Sequence, residues 1–277
     1  MYLKRVLLII ILALTACGRP SSETISKHNI GIVSYETSGN TLQKFAEFKN
    51  YLGTQLNSII EIEPAYNEVK ALEQISQQKW DLVFAPPGLA AIAIFRYNYE
   101  PIISLEGRDK TRSAIVVRSD STFEKREDLA KQSIALGQKG SATGYYLPIY
   151  NLFGLRFSEV LYAATPQTVL QLLDEGKVAV GALSVADYNL HRRNFSPNRF
   201  KAIYIDNHEV PPGAILISDR LEPEQRERIK SVLAETPSFI ASSAGYLPQE
   251  KIPDYTYLIG VIERVQNIME DSPMVVR

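Results

Sequence analysis

The sequence predicts an α/β protein of two lobes, each built on a mainly parallel sheet, with a cleft between them. Three observations predict it. Short apolar runs at residues 30–35, 59–62 and 81–85 alternate with segments whose apolar residues recur at helical spacing. After a polar segment at residues 107–112 the same alternation begins again. Small and hydroxyl residues gather where the runs end: Ser34 and Tyr35, Ala85 to Pro87, residues 137–144, and Ser184. In open α/β sheets a ligand lies outside the carboxyl ends of the strands, so these positions converge on one place.

Taken in order, residues 30–35 form a first strand. Residues 41–56 form a helix with Leu42, Phe45, Phe48, Leu52 and Leu56 on its inner side. A second strand follows at 59–62, and Asn67 caps a helix reaching Gln78 with Val69, Leu72 and Ile75 inward. The strand at 81–85 closes on Pro86, Pro87 and Gly88; an apolar helix at 89–97 and a strand at 101–105 complete the first unit. The second unit has strands at 114–117, 133–136, 160–163 and 178–183. Helices at 166–175 and 185–193 and a further strand at 201–205 follow. Pro211, Pro212 and Gly213 then lead into a strand at 214–217, and helices at 223–234 and 253–269 end the chain.

The most informative stretch is Lys139, Gly140, Ser141, Ala142, Thr143, Gly144, between the strand at 133–136 and an apolar helical segment. Two hydroxyls and a row of unshielded backbone N–H groups there meet the positive end of a helix dipole, an arrangement that holds an oxyanion without a lysine or arginine. A Ser/Thr cap after a glycine-rich turn has the same local pattern.

Residues 1–16 read as a secretion signal, with Lys4 and Arg5 ahead of an apolar run too short to span a bilayer comfortably. Leu14, Thr15, Ala16 and Cys17 look like a bacterial lipobox, in which Cys17 takes a lipid and becomes the new N-terminus. Cys17 is the only cysteine of 277 residues, so no internal disulfide and no catalytic or metal-binding thiol is available. Residues 17–28 then form a tether to the membrane. The remaining ~260 residues suffice for two modest domains or one large one. Without Lys4 and Arg5 the chain has 28 basic and 31 acidic residues, and no basic stripe suggests nucleic acid.

These pieces resemble the substrate-binding proteins of phosphate, phosphite and phosphonate ABC transporters. The resemblance is carried by Ser34 and Tyr35, residues 81–87, residues 113–120, Asp128 and Leu129, the Gly140 to Tyr145 loop with Pro148, residues 176–183, and residues 210–213. It implies the type II periplasmic-binding-protein fold, two α/β lobes closing on a ligand. It divides the chain into lobe 1 (29–109 and 206–277) and lobe 2 (110–205), with crossovers at 107–112 and 206–210. It also implies that Ser141 and Thr143, with the N–H groups of Ala142 and Gly144, grip phosphoryl oxygens while Tyr35 donates its phenol from the opposite lobe. Ser34, Pro87 and Ser184 complete the candidate ligand-binding set. The implied partners are a small anion, the transmembrane subunits of an ABC permease, and the membrane through the lipid on Cys17. The protein is expected to be a monomer needing no cofactor.

Two departures bear on the ligand. Leu89 stands near where the family places an aromatic, and Ser184 stands where it commonly ends a strand with an acid. Asp187, one helical turn later, reads as a first-turn helix residue on the surface. That combination favours phosphate, phosphite or an uncharged-tail phosphonate over 2-aminoethylphosphonate.

A binding protein that reports its ligand to a membrane kinase would have the same sequence features. An enzyme would need more: there is no G-x-S-x-G elbow and no Lys-Ser/Thr ending of a nucleotide loop. His28, His191 and His208 stand apart from one another and read as surface or loop residues. The lipobox reading predicts that Cys17→Ala abolishes fatty-acid labelling and leaves the precursor uncut at that site. Equal labelling of both proteins would overturn it.

Overall fold

A computed structural model describes residues 26–34, 38–107 and 111–271; the predicted signal, Cys17 and Tyr35 lie outside them. Among the described residues eleven strands form two sheets. The first has the order β11-β4-β10-β3-β1-β2. Its strands are β1 (Ser26–Val33), β2 (Ser58–Ala65), β3 (Leu82–Ala85), β4 (Tyr99–Leu105), β10 (Ala214–Ser218) and β11 (Tyr246–Leu247). The second sheet has the order β7-β6-β8-β5-β9. It comprises β5 (Ser113–Arg118), β6 (Ser133–Gly137), β7 (Glu159–Ala163), β8 (Val180–Ser184) and β9 (Phe200–Ile205).

The sheets are mixed rather than mainly parallel. β1 runs parallel to β2 and β3, and β6 runs parallel to β7 and β8, as helix-linked crossovers require. The remaining ladders are antiparallel because the chain leaves the first sheet once and returns once. β10 comes back between β3 and β4, antiparallel to both, and β5 enters the second sheet antiparallel to β8 and β9. The two connections, β4 to β5 and β9 to β10, lie side by side. Val210 N–H donates to the Thr111 carbonyl (2.8 Å) and Asp206 N–H to that of Ser113 (2.9 Å).

The predicted helix at 41–56 is two helices, α1 (Ser38–Lys44) and α2 (Ala46–Leu56), divided at Phe45. The division turns Phe45 and Phe48 together onto Phe84, all three rings edge to face, and leaves Leu42 facing solvent. In α3 (Glu68–Ser76) the Asn67 side chain accepts the Lys70 N–H as predicted. Val69, however, points outward, and the inner face is Glu68, Ala71, Gln74 and Ile75.

Helix α4 (Pro87–Tyr97) is buried on nearly every side from Gly88 to Ala93, the pattern of a helix enclosed between layers. It packs against α10 (Thr256–Asp271), which also reaches α5 (Leu147–Asn151) below the second sheet. One apolar core therefore runs through both lobes, joining Leu89 and Ala90 to Leu136, Tyr146, Ile149 and Ile262. Two further clusters cover the outer faces, one around Phe48, Phe84 and Tyr246 and one around Ala114, Val169 and Leu173. The remaining helices are α6 (Pro166–Asp174), α7 (Val185–His191), α8 (Pro223–Ala234) and α9 (Ser238–Ala244). α9 and β11 went unpredicted.

Trp80 anchors the first sheet. Its indole is buried, its Nε1–H donates to Glu63 (2.7 Å), and its carbonyl accepts the Tyr99 hydroxyl (2.8 Å). The ring lies directly on Gly31, where an added Cβ would come within 2.0 Å of it. Gly31→Ala is expected to displace the indole and lower stability by about 2 kcal/mol or more, read as a shift in urea midpoint at unchanged slope.

Candidate ligand-binding cleft

The strand β6 ends at Gly137, and the chain turns through Gly140 into a π-helical turn, Ala142–Tyr146, that runs straight into α5. The Ser141 carbonyl accepts both Tyr145 N–H (3.2 Å) and Tyr146 N–H (3.1 Å). This widened first turn is of a kind common at functional sites. Burial pushes the Tyr145 phenol up to about 12, so it packs in the core behind the turn as a neutral ring.

The Ser141 hydroxyl accepts the Gly144 N–H at 3.0 Å. Gly144 N–H therefore belongs to the cap and is not available to a ligand, contrary to the expectation from the sequence. Ser141 is thus both a cap and a candidate ligand donor, because accepting one bond leaves its own O–H hydrogen to give. Thr143 is held differently: its carbonyl accepts the Ser113 hydroxyl (2.7 Å), which fixes the loop to the first strand beyond the crossover. The Thr143 hydroxyl has no hydrogen bond among the described residues.

Two adjoining cavities occupy the cleft. One, of about 410 Å³, is lined by Gly137, Gln138, Gly140 to Gly144, Pro87, Gly88 and Ser184, with Glu68, Thr165, Asp187 and His191 completing its wall. No lysine or arginine is among its described lining residues, so an anion held here would depend on N–H groups, hydroxyls and helix dipoles, as the sequence implied. The other, of about 510 Å³, is lined by Ser34, Thr41, Lys44, Phe45, Phe84 and Glu106 among others. Pro86, Pro87, Thr111, Ser184 and Asp187 border both. The structure thus brings Pro87, Ser141, Ala142, Thr143, Gly144 and Ser184 to one cavity and places Ser34 in the neighbouring one. The Ser34 hydroxyl accepts the Thr41 hydroxyl at 3.0 Å.

Ser184 caps α7. Its Oγ accepts the Asp187 N–H (2.9 Å) and donates to the Asp187 carboxylate (2.6 Å). Asp187 is a first-turn residue, as predicted, but it is half-buried and borders both cavities rather than facing the outer surface. The α7 dipole aims into the cleft, and its first-turn carboxylate goes with it. Glu68, buried on α3, reaches the same cavity with its stem packed on Gly140. Neither carboxylate carries a sequence motif that would have placed it here.

His28 departs from expectation, whereas His208 is an exposed loop residue as expected. His28 is buried inside β1 with Nδ1 3.7 Å from Asp81, and His191 borders the anion-loop cavity. His208 stacks on Tyr257 with ring centroids 4.2 Å apart and lies 3.0 Å from the buried Asp206 carboxylate at the second crossover. Among the described residues no three His, Cys, Asp or Glu side chains could hold a metal, and no helix is long and apolar enough to cross a membrane. Leu89, near where the family places an aromatic, lies fully in the core rather than on the cavity wall.

The lobes touch where α4 meets the anion loop. A Cβ on Gly88 would come within 2.1 Å of the Gly140 carbonyl oxygen and 2.6 Å of the Ala142 nitrogen. Only a hydrogen fits, because the obstructing atoms are backbone. Gly88→Ala is expected to push the loop from α4 and weaken ligand binding at least tenfold, measured by calorimetry. Of the loop hydroxyls, Thr143→Ala should weaken binding by about 1.5–3 kcal/mol with little change in melting temperature. Ser141→Ala should lower both, the stability loss being that of an N-cap, ~1 kcal/mol.

The sequence matches a family model described as the periplasmic substrate-binding protein of phosphonate ABC transporters, over residues 30–239. No curated protein sequence matches it. Among solved structures, a Xanthomonas citri protein bound to ATP superposes with a TM-score of 0.71 at 19% identity, covering 87% of this chain and 98% of its own. A binding component of a Pseudomonas aeruginosa phosphonate transporter gives 0.65 at 15% identity, over 89% of this chain and 87% of its own. A Prochlorococcus marinus protein in complex with methylphosphonate gives 0.64 at 18% identity, over 88% and 98%. The likeness to these three is one of fold: two α/β lobes of the type II periplasmic-binding-protein class. With the family model covering most of its length, the chain belongs to the periplasmic substrate-binding proteins of phosphonate ABC transporters.

Proposed function

We propose that the anion-loop cavity takes the phosphoryl group of a small phosphonate, with Ser141, Thr143 and the Ala142 N–H as its donors. The observation that carries this reading is the capped π-turn at the mouth of a cavity without lysine or arginine among its described lining residues. Hydroxyls and backbone N–H groups match the tetrahedral oxygens of a phosphoryl group, and the start of the helical turn adds a favourable field.

The tail is set by Asp187. The preference for phosphate or an uncharged phosphonate followed from placing that carboxylate on the outer surface, whereas it borders the cavity. A dianion bound close to an ionised carboxylate is repelled by it, while a tail amine is matched. The reading is therefore reversed: an aminoalkylphosphonate is the preferred ligand, its amine meeting Asp187 with Glu68 in the same wall. The cavity's 410 Å³ leaves room for a short alkyl chain.

As a member of its family the protein works outside the cytoplasm and delivers its ligand to an ABC permease. Anchorage through a lipid on Cys17, a monomeric state, Tyr35 as a further donor, and lobe closure about the paired crossovers complete the proposal. The deciding measurement is calorimetry with 2-aminoethylphosphonate, methylphosphonate, phosphate and sulfate at one pH and ionic strength. The aminophosphonate is expected to bind most tightly, and Asp187→Asn to remove its advantage over methylphosphonate. At 100 times its Kd a ligand should raise stability by about 2.7 kcal/mol, readable as a thermal shift. Equal or weaker binding of the aminophosphonate than of phosphate would overturn the assignment.

A further inference from the structure

We propose that Thr111, in the first crossover, is a ligand-contacting residue, its hydroxyl bonding the bound molecule where the two cavities meet. The proposal rests on the phosphonate reading of the cleft. Thr111 is one of five residues that border both cavities. Two of the five are prolines and two, Ser184 and Asp187, are already hydrogen-bonded to each other. Thr111 alone brings an uncommitted donor, for its Oγ1 is sealed from solvent and has no hydrogen-bond partner among the described residues.

A buried hydroxyl without a partner costs free energy, and native structures keep few of them. Among the described residues none accepts from Thr111 Oγ1, and a rotation of χ1 to another staggered well re-aims the hydroxyl. A phosphonate oxygen in the cavity would offer the acceptor the protein withholds. The cost is carried by the empty protein and relieved on binding, so the ligand gains selectivity over molecules that bring no acceptor to this point.

The backbone around Thr111 shows what such a contact would touch. Its carbonyl accepts Val210 N–H of the second crossover at 2.8 Å. The next carbonyl, that of Arg112, accepts Val185 N–H at the start of α7 (2.9 Å). One residue further, the Ser113 hydroxyl donates to the Thr143 carbonyl in the anion loop (2.7 Å). Three consecutive residues thus tie the second crossover, the helix bearing Asp187 and the anion loop to one segment. A ligand held by Thr111 bonds directly to the pivot between the lobes.

The test compares wild type, Thr111→Val and Thr111→Ser, each titrated with 2-aminoethylphosphonate and with phosphate by calorimetry, and each melted without ligand. Valine keeps the shape and removes the hydroxyl; serine keeps the hydroxyl. Expected are a Thr111→Val protein that melts at or above the wild-type temperature yet binds at least tenfold more weakly, and a Thr111→Ser protein that binds within about threefold of wild type. Wild-type affinity in Thr111→Val, while Thr143→Ala remains impaired, overturns the role of Thr111 and leaves the ligand reading intact. A parallel fall of melting temperature and affinity in both variants marks Thr111 as structural and also overturns it. Absence of binding by the wild-type protein overturns the phosphonate reading and this inference with it.

Discussion

Two lengths of backbone pass between the sheets, and their pairing is the constraint on which the cleft depends. The bonds from Val210 to Thr111 and from Asp206 to Ser113 hold the described parts of the two crossovers side by side. β5 and β8 pair from just beyond that junction, with Ser113 opposite Ser184. Because Ser113 also holds Thr143 through its hydroxyl, the anion loop and the α7 cap are positioned from a single point. Asp206, almost wholly buried, secures the same region by accepting from Asn151 Nδ2 (2.5 Å) and from His208 N–H (2.8 Å).

Against that frame the close approach of α4 to the anion loop takes on its meaning. Gly88 and Gly140 lie in different sheets' territory yet within a few ångströms, and the core runs on beneath them through α10. The cleft is thus open on one side and fastened on the other. Cavities form in front of the contact while apolar packing of Leu89, Tyr146 and Ile262 backs it.

Much of this was legible in the chain. Strand positions followed from apolar runs, because a strand buried on both faces has no alternation to hide it. The anion loop was legible because small residues and hydroxyls between a strand and a helix have few other uses. What escaped was set by tertiary contact. Phe45 breaks a helix that reads as continuous because its ring is drawn to Phe84. Val69 and Ile75 are equally apolar, and only the packing of α3 decides which is buried. The antiparallel return of β10 leaves no local trace, since its run resembles any other buried strand. Asp187 is most instructive: its place in the first turn was correctly read, but a helix position does not say what the helix points at. A helix whose first turn faces a cleft carries its first acidic residue to the cavity wall.

The place of β10 has a consequence for the order in which the molecule can be made. It fills the gap between β3 and β4, so those two strands have no partner on their facing edges until Ala214–Ser218 has been synthesised. The second sheet, by contrast, is complete once Ile205 emerges. During translation the facing edges of β3 and β4 therefore stay unpaired for more than 100 residues of growth, from β4 onward. Such edges invite pairing with other chains when exposed for long. The first lobe therefore cannot lock until more than three quarters of the chain is available.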